Sequence, residues 1–204
     1  MGTAQHINYE AKVAWLEGQA ANIYSQFGED GLVACVLGKI GETNRCCFEI
    51  GAADGLFFSN TLRLRERGWR AVLFEKDYTL WRRCYDTYSS ETVQVLSGSV
   101  VNLNKALKYS IIQHVKTPDF GVIDIDGQDY WMWYDLTDYR PRVMLVEYRA
   151  GNLVDAVPER GSDQGQAGLY AIEELGKEKG YTLVATTLCN ALFVDVDELK
   201  NAGL

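Results

Sequence analysis

The stretch Cys46-Cys47-Phe48-Glu49-Ile50-Gly51-Ala52-Ala53-Asp54-Gly55 decides how the fold is read. A short run, apolar except for one acid, stops at a glycine, and small residues follow at 51, 52, 53 and 55. Such a run reads as a buried strand, and the small residues read as a tight strand-to-helix turn. A turn of this kind also lets a ligand approach the backbone, whose N–H groups can bind a carboxylate or a phosphate.

Outward from this stretch the pattern repeats. Ala71-Val72-Leu73-Phe74 ends on Glu75, Thr92-Val93-Gln94-Val95-Leu96 runs into Ser97-Gly98, Phe120-Gly121-Val122-Ile123 ends at Asp124, and Val143-Met144-Leu145-Val146 ends at Glu147. Helices are predicted over 29–37, 60–67, 79–88, 102–109 and 167–179, and residues 8–24 are predicted to form a weak helical extension. Continuous apolar strands alternating with helices argue for an α/β fold, a mainly parallel sheet covered on both faces. The last two runs, 181–185 and 191–196, are separated by only a few residues around Asn190. A parallel crossover needs a dozen or more residues, so this pair is predicted to be antiparallel.

The chain has 204 residues and is read as one domain, 1–204. Its 12% aromatic content supplies ample core and excludes intrinsic disorder. With 20 Lys+Arg against 28 Asp+Glu the net charge is −8, and no basic block offers a nucleic-acid surface. No apolar run reaches the ~18–20 residues that cross a bilayer. The segment Met1-Gly2-Thr3-Ala4-Gln5-His6 lacks the basic and apolar regions of a signal peptide, and His6 stands where myristoylation wants Ser or Thr. Five cysteines, an odd number with no CxxC, read as free buried thiols in a reducing compartment, hence a cytoplasmic location.

In open α/β sheets ligands bind beyond the carboxyl ends of the strands. Four of the five parallel strands end on or next to an acid, which suits a hydroxyl-rich or cationic ligand. Glu75 lies 20 residues after Gly55, where an acid can accept hydrogen bonds from both ribose hydroxyls of a nucleoside cofactor. Asp124-Ile125-Asp126-Gly127-Gln128-Asp129 packs three carboxylates into six residues. Oxygen ligands favour Mg2+ or Ca2+; equally, Asp side chains near a glycine cap turn N–H groups. The EF-hand pattern is not met, because Asp135 stands where Glu is needed and no helical flank is evident. Trp131, Trp133 and Tyr134 read as core, His6 and His114 as surface or structural residues, and Ser25 as a helix N-cap followed by acids.

These motifs recur in a familiar order: Ser25-Gln26-Phe27-Gly28-Glu29-Asp30, Phe48 through Gly55, Ser59-Asn60-Thr61, Gly68-Trp69-Arg70, Phe74-Glu75, Val101-Asn102-Leu103-Asn104, Ile123 through Trp131, Arg140-Pro141-Arg142-Val143, Val146-Glu147-Tyr148 and Gly180-Tyr181-Thr182-Leu183-Val184. Over about residues 24–196 the chain resembles the class I S-adenosylmethionine-dependent methyltransferases, and within them the FkbM-like group. The resemblance implies a Rossmann-like, mainly parallel seven-stranded sheet with a C-terminal antiparallel hairpin. It implies that Glu49, Gly51, Ala52, Ala53 and Gly55 hold the methionine part of the cofactor, with Gln26 and Asn60 reaching the same ligand. Glu75 with Lys76 would bind the ribose, Ser97 and Gly98 would lie near the adenine, and Asp124 would lie beneath the sulfonium.

The implied activity is O-methylation of a small hydroxylated molecule such as a sugar or glycoside, with Asp124 or Asp126 as the base. Some class I O-methyltransferases bind a divalent metal after the fourth and fifth strands, positions that Asp124 and Glu147 occupy here, so Mg2+ is a candidate second cofactor. Similar sequences often continue Glu-Tyr-Asn, whereas this chain has Glu147-Tyr148-Arg149. Arg149 cannot ligate a metal, which either weakens the metal model or points to an anionic acceptor, so Glu147 and Arg149 are also substrate candidates; residues 152–168 are the expected lid. The expected partner is a small-molecule acceptor, with no nucleic acid and no membrane. Two other readings use the same sheet. A nicotinamide-dependent oxidoreductase should show GxGxxG, which is absent; a cofactor-binding or assembly protein without turnover stays open, because fold does not fix function.

Overall fold

Five apolar runs pair side by side as parallel strands. In the computed structural model, which describes residues 9–151, 155–162 and 165–204, they are β2 (Cys46–Ile50), β3 (Arg70–Glu75), β4 (Val93–Ser97), β5 (Phe120–Ile123) and β6 (Val143–Glu147). β7 (Tyr181–Thr187) and β8 (Asn190–Asp195) form the predicted antiparallel hairpin, and β8 also pairs antiparallel with β6. With β1 (Tyr9–Ala11), the sheet has eight strands among the described residues rather than seven, in the order β1-β7-β8-β6-β5-β2-β3-β4.

The extra strand corrects the N-terminal expectation. Tyr9–Ala11 is β1, antiparallel to β7, and the segment continues into a single 3-10 turn at Ala14–Leu16 instead of a helix. The open edge of β7 supplies the backbone partners: Tyr9 lies opposite Thr187, Ala11 opposite Ala185, and Lys12 N–H donates to the Val184 carbonyl at 2.8 Å. Edge pairing of this kind leaves little helical periodicity to read.

Seven helices are described: α1 (Glu29–Ile40), α2 (Leu62–Glu66), α3 (Tyr78–Tyr88), α4 (Leu103–Lys108), α5 (Asp129–Asp135), α6 (Leu169–Glu178) and α7 (Val196–Asn201). Neither α5 nor α7 was expected. The run 191–196 stops one residue early, because Asp195 caps α7 by accepting from Asp197 N–H at 2.9 Å. Alternate strand residues enter separate cores. Cys46, Phe48, Ile50 and Ile123 join Trp133, Met144, Ile172 and Phe193 on the face covered by α4, α5 and α6. Cys47, Phe120 and Val122 join Leu32, Val36, Trp69 and Leu199 on the other. All five cysteines are free thiols; Cys46, Cys47 and Cys84 are buried, while Cys35 and Cys189 are half-buried. His114 is exposed, and His6 lies outside the described residues. No helix among the described residues is long and apolar enough to cross a membrane.

Candidate functional site

The carboxyl ends of β2 to β6 open onto one cleft of about 1170 Å3. Its depth depends on the turn after β2. Gly51 has φ +84°, and a Cβ there would meet the Asp124 carbonyl at 1.7 Å, so only glycine lets β2 and β5 splay at this height. Gly51 and Ala52 N–H both donate to the Phe74 carbonyl, at 2.9 and 3.0 Å. Three non-glycine residues with positive φ, Ala53 (48°), Phe58 (55°) and Asp126 (57°), line the cleft. Such conformations cost energy and gather at functional sites.

Of the residues expected at the site, Gln26, Glu49, Gly51, Ala52, Ala53, Asn60, Glu75, Lys76, Gly98, Asp124, Asp126 and Glu147 line this cleft. Three do not. Gly55 faces away, its missing Cβ backed by Cys84 and Tyr88. Ser97 ends β4, and the chain turns into the cleft only with Gly98, whose N–H donates to the Glu75 carbonyl at 2.9 Å. Arg149 lies outside the lining, exposed, its backbone N–H held by the Ala167 carbonyl at 2.9 Å. Of the expected lid, residues 152–154 and 163–164 fall outside the described residues.

Each acid has a distinct setting. Glu75 is buried and accepts from Ala53 N–H through Oε2 (2.8 Å) and from Asp77 N–H through Oε1 (2.7 Å), so it fixes the glycine turn to its own strand. Glu49 is committed to the loop before α2: it accepts from Ser59 Oγ (2.9 Å), Asn60 N–H (2.8 Å) and the Thr61 hydroxyl. Asp129 does what an Asp near a glycine does, taking Ile125 N–H at 2.8 Å and Gly127 N–H at 2.9 Å. These bonds close the turn that leads into α5, whose N-cap is Gln128 and which is the helical flank the sequence did not show. Glu147 accepts from Asp126 N–H (3.0 Å) and Gln166 Nε2 (2.7 Å). Among the described residues nothing hydrogen-bonds the Asp124 carboxylate.

The Ser25 motif is not an N-cap. Gly28 holds that position, while Asp30 accepts from the N–H groups of Ile23, Tyr24 and Ser25, and Ser25 Oγ accepts from Asp30 N–H at 3.0 Å. The lock turns Gln26 toward the cleft. Glu29 ties the same loop to the β7–β8 turn through Thr187 Oγ1 (2.7 Å) and Asn190 Nδ2 (3.2 Å), which sets Cys189 in the cleft wall. Burial first, and then the nearby carboxylates, push the Cys189 thiol up, so it stays neutral.

Residues the sequence reading missed form another wall. Gln128 donates to the carbonyls of Glu159 (3.1 Å) and Ser162 (3.0 Å) and accepts from Gly161 N–H (2.7 Å). Trp131 Nε1 donates to the Pro158 carbonyl at 2.8 Å, and the Arg160 guanidinium lies 4.4 Å over the Trp131 ring while bridging to Asp135. Trp133 is core as expected, but Trp131 lines the cleft and Tyr134 is exposed. Only the 131/134 spacing on α5 hinted at an outer aromatic face.

Among the described residues seven carboxylates line the cleft against two cations, Lys76 and Arg160, and Arg160 is spent on Asp135. Burial first, and then repulsion from Asp129 and Asp126, pushes Asp124 up to about 8; burial first, and then repulsion from Asp124, pushes Glu147 up to about 9. The pair therefore keeps at least one proton at neutral pH. Both groups bind protons in the folded state that the unfolded chain releases near pH 4, so stability falls as pH rises from about 4 to about 9. Glu147→Gln is expected to flatten this slope and raise Tm at pH 8–9 by on the order of 5 °C; an unchanged slope in Tm against pH would contradict the assignment. Among the described residues no group of three or more His, Cys, Asp or Glu side chains is placed to hold a metal ion. Among the described residues Asp124 and Glu147 come together without a third such ligand, so nothing in this arrangement supports the expected Mg2+.

No protein-family model matches the chain, and no curated protein matches its sequence. Solved structures do. An O-methyltransferase from Bacillus cereus in complex with S-adenosylhomocysteine has a TM-score of 0.57 at 19% identity, covering 88% of this chain and 86% of that one. Magnesium protoporphyrin IX methyltransferase from Synechocystis, with bound S-adenosylhomocysteine, has a TM-score of 0.50 at 12% identity, covering 82% and 81%. Other matched structures are longer: the chain spans 46% of one and 60% of another. At these identities the likeness establishes the fold alone, an α/β fold that this chain shares with these methyltransferases.

Proposed function

We propose that the chain is an S-adenosylmethionine-dependent O-methyltransferase of the FkbM-like group, acting on a small hydroxylated acceptor such as a sugar or glycoside. The observation that carries this is the Asp124 carboxylate, without a hydrogen-bond partner among the described residues, in an acid-lined cleft with the Glu75-braced glycine turn in the same wall. The residues present fit the cofactor. A cationic sulfonium suits an acidic wall, whereas the pyrophosphate of a nicotinamide dinucleotide would meet seven carboxylates there. When bound, S-adenosylmethionine supplies an activated methyl group for in-line displacement.

The protein's part is alignment and proton transfer. Glu75, already fixed by two backbone N–H groups, offers its remaining lone pairs to the ribose hydroxyls. Gly51, Ala52, Ala53 and Asn60 form the methionine side, and Lys76 and Gly98 the adenosine side. Asp124 takes the proton of the acceptor hydroxyl at its free carboxylate, with Asp126 the alternative base. A positive charge beside Asp124 favours its ionised form, while Glu147 retains a proton and donates it to an acceptor oxygen.

Thermal unfolding with S-adenosylmethionine, and with NAD as control, tests this. A ligand at 100 times its Kd adds about 2.7 kcal/mol, a rise of roughly 5–11 °C for a domain of this size. The rise is expected with S-adenosylmethionine alone. A rise with NAD alone, or with neither, would refute the proposal; a rise with S-adenosylmethionine but no methyl transfer to any hydroxylated acceptor would favour a cofactor-binding protein without turnover.

A further inference from the structure

The loop between β2 and α2 is held at both ends yet presents apolar side chains at its tip. Asp54 Oδ1 accepts from Leu56 N–H (3.0 Å) and Phe57 N–H (2.8 Å), Arg65 Nη2 donates to the Gly55 carbonyl, and Glu49 anchors Ser59, Asn60 and Thr61. Between these anchors Phe57 is 63% exposed and Phe58 41% exposed, their ring centroids 3.8 Å apart. Phe58 holds φ at 55°, a conformation that bulky residues avoid. A rigid loop that carries backbone strain while leaving two phenyl rings in water gains nothing in stability from doing so. Both rings line the cleft. A cleft of about 1170 Å3 exceeds the ~300–1,000 Å3 that one drug-sized ligand occupies, so an acceptor fits beside a cofactor.

We propose that Phe57 and Phe58 form an apolar subsite for the acceptor, whose hydroxyl-bearing part is attached to an aromatic or alkyl body. This rests on the methyltransferase reading of the same cleft. The rings lie in the cleft wall and the chain carries a net charge of −8, which favours a bound small molecule over an anionic lipid surface as their partner.

The test uses alkyl β-glucosides with chains of one to eight carbons, below micelle-forming concentration, titrated calorimetrically into protein with and without saturating S-adenosylhomocysteine. In the natural protein affinity is expected to rise about two- to fourfold per methylene. In the double variant Phe57→Ser with Phe58→Asn the series is expected to be flat, while S-adenosylhomocysteine affinity and Tm stay within error of the natural protein; Asn tolerates the positive φ. A flat series in both proteins, or an equal rise in both, would overturn the subsite. Sedimentation with phosphatidylcholine vesicles covers the lipid alternative: vesicle binding that the double variant loses, alongside a flat series, assigns the rings to a membrane and also overturns it. Absence of S-adenosylhomocysteine binding to the natural protein would sink the methyltransferase reading separately, since the glucoside series reads the rings on the unliganded protein.

Discussion

Glu75→Ala is expected to weaken S-adenosylmethionine binding about a hundredfold in a calorimetric titration. Two effects add. The carboxylate that meets the ribose is gone, and hydrogen bonds to a charged group each contribute about 1.5–3 kcal/mol. The same carboxylate also accepts from Ala53 N–H at 2.8 Å, so its loss frees the turn that Gly51 and Ala53 build in the cleft wall. A total near 3 kcal/mol corresponds to about two decades in affinity. Glu75→Gln keeps one acceptor oxygen and is expected to lose less, about tenfold. Wild-type affinity in the alanine variant would remove Glu75 from the binding site and with it the ribose assignment.

The parts of this molecule that were legible in sequence share a physical cause: their signal is local. The runs 46–50, 120–123 and 143–147 are buried on both faces of a parallel sheet, so nearly every residue is apolar and each strand announces itself. The hairpin of β7 and β8 follows from loop length alone. The acids at the strand ends are the residues at which apolar runs stop, so most of the cleft floor could be named in advance. What escaped depends on distant partners. β1 exists because β7 has an open edge. α5 is hidden because Tyr130 through Tyr134 are all apolar or aromatic and show no single stripe. Gln128 acquires its role from carbonyls 31 and 34 residues away. Arg149 and Ser97 were placed correctly along the chain, but sequence does not say which way a residue at a strand end turns.

The largest loss of stability is expected from the opposite end of the sheet. Asp119, fully buried just before β5, accepts from the N–H groups of Thr43, Asn44 and Arg45, from the Thr43 hydroxyl and from Arg142 Nη1 at 2.9 Å. Arg142 also reaches Glu198 at 2.6 Å and the Ile40 and Gly41 carbonyls, so one ion cluster joins α1, β5, β6 and α7. Asp119→Ala leaves three backbone N–H groups and part of a buried guanidinium without partners. Breaking a buried pair on one side costs about 3–5 kcal/mol, a fall in Tm of about 6–20 °C for a chain of this length. Burial alone would raise the Asp119 carboxyl, but hydrogen bonds from Thr43 and Arg142 outweigh it and hold the group below its ordinary range. A depressed carboxylate stabilises above its unfolded pKa, near 4, and that contribution is lost as pH falls through the folded value. The gap in Tm between the natural protein and the variant should therefore narrow below pH 4. A variant as stable as the natural protein at pH 7, or a gap that widens in acid, would show that the cluster does not hold the base of the sheet together. Because Asp119 lies at the far end of the strands from the cleft, its loss should lower Tm without changing S-adenosylmethionine affinity below the transition, the reverse of the pattern expected for Glu75.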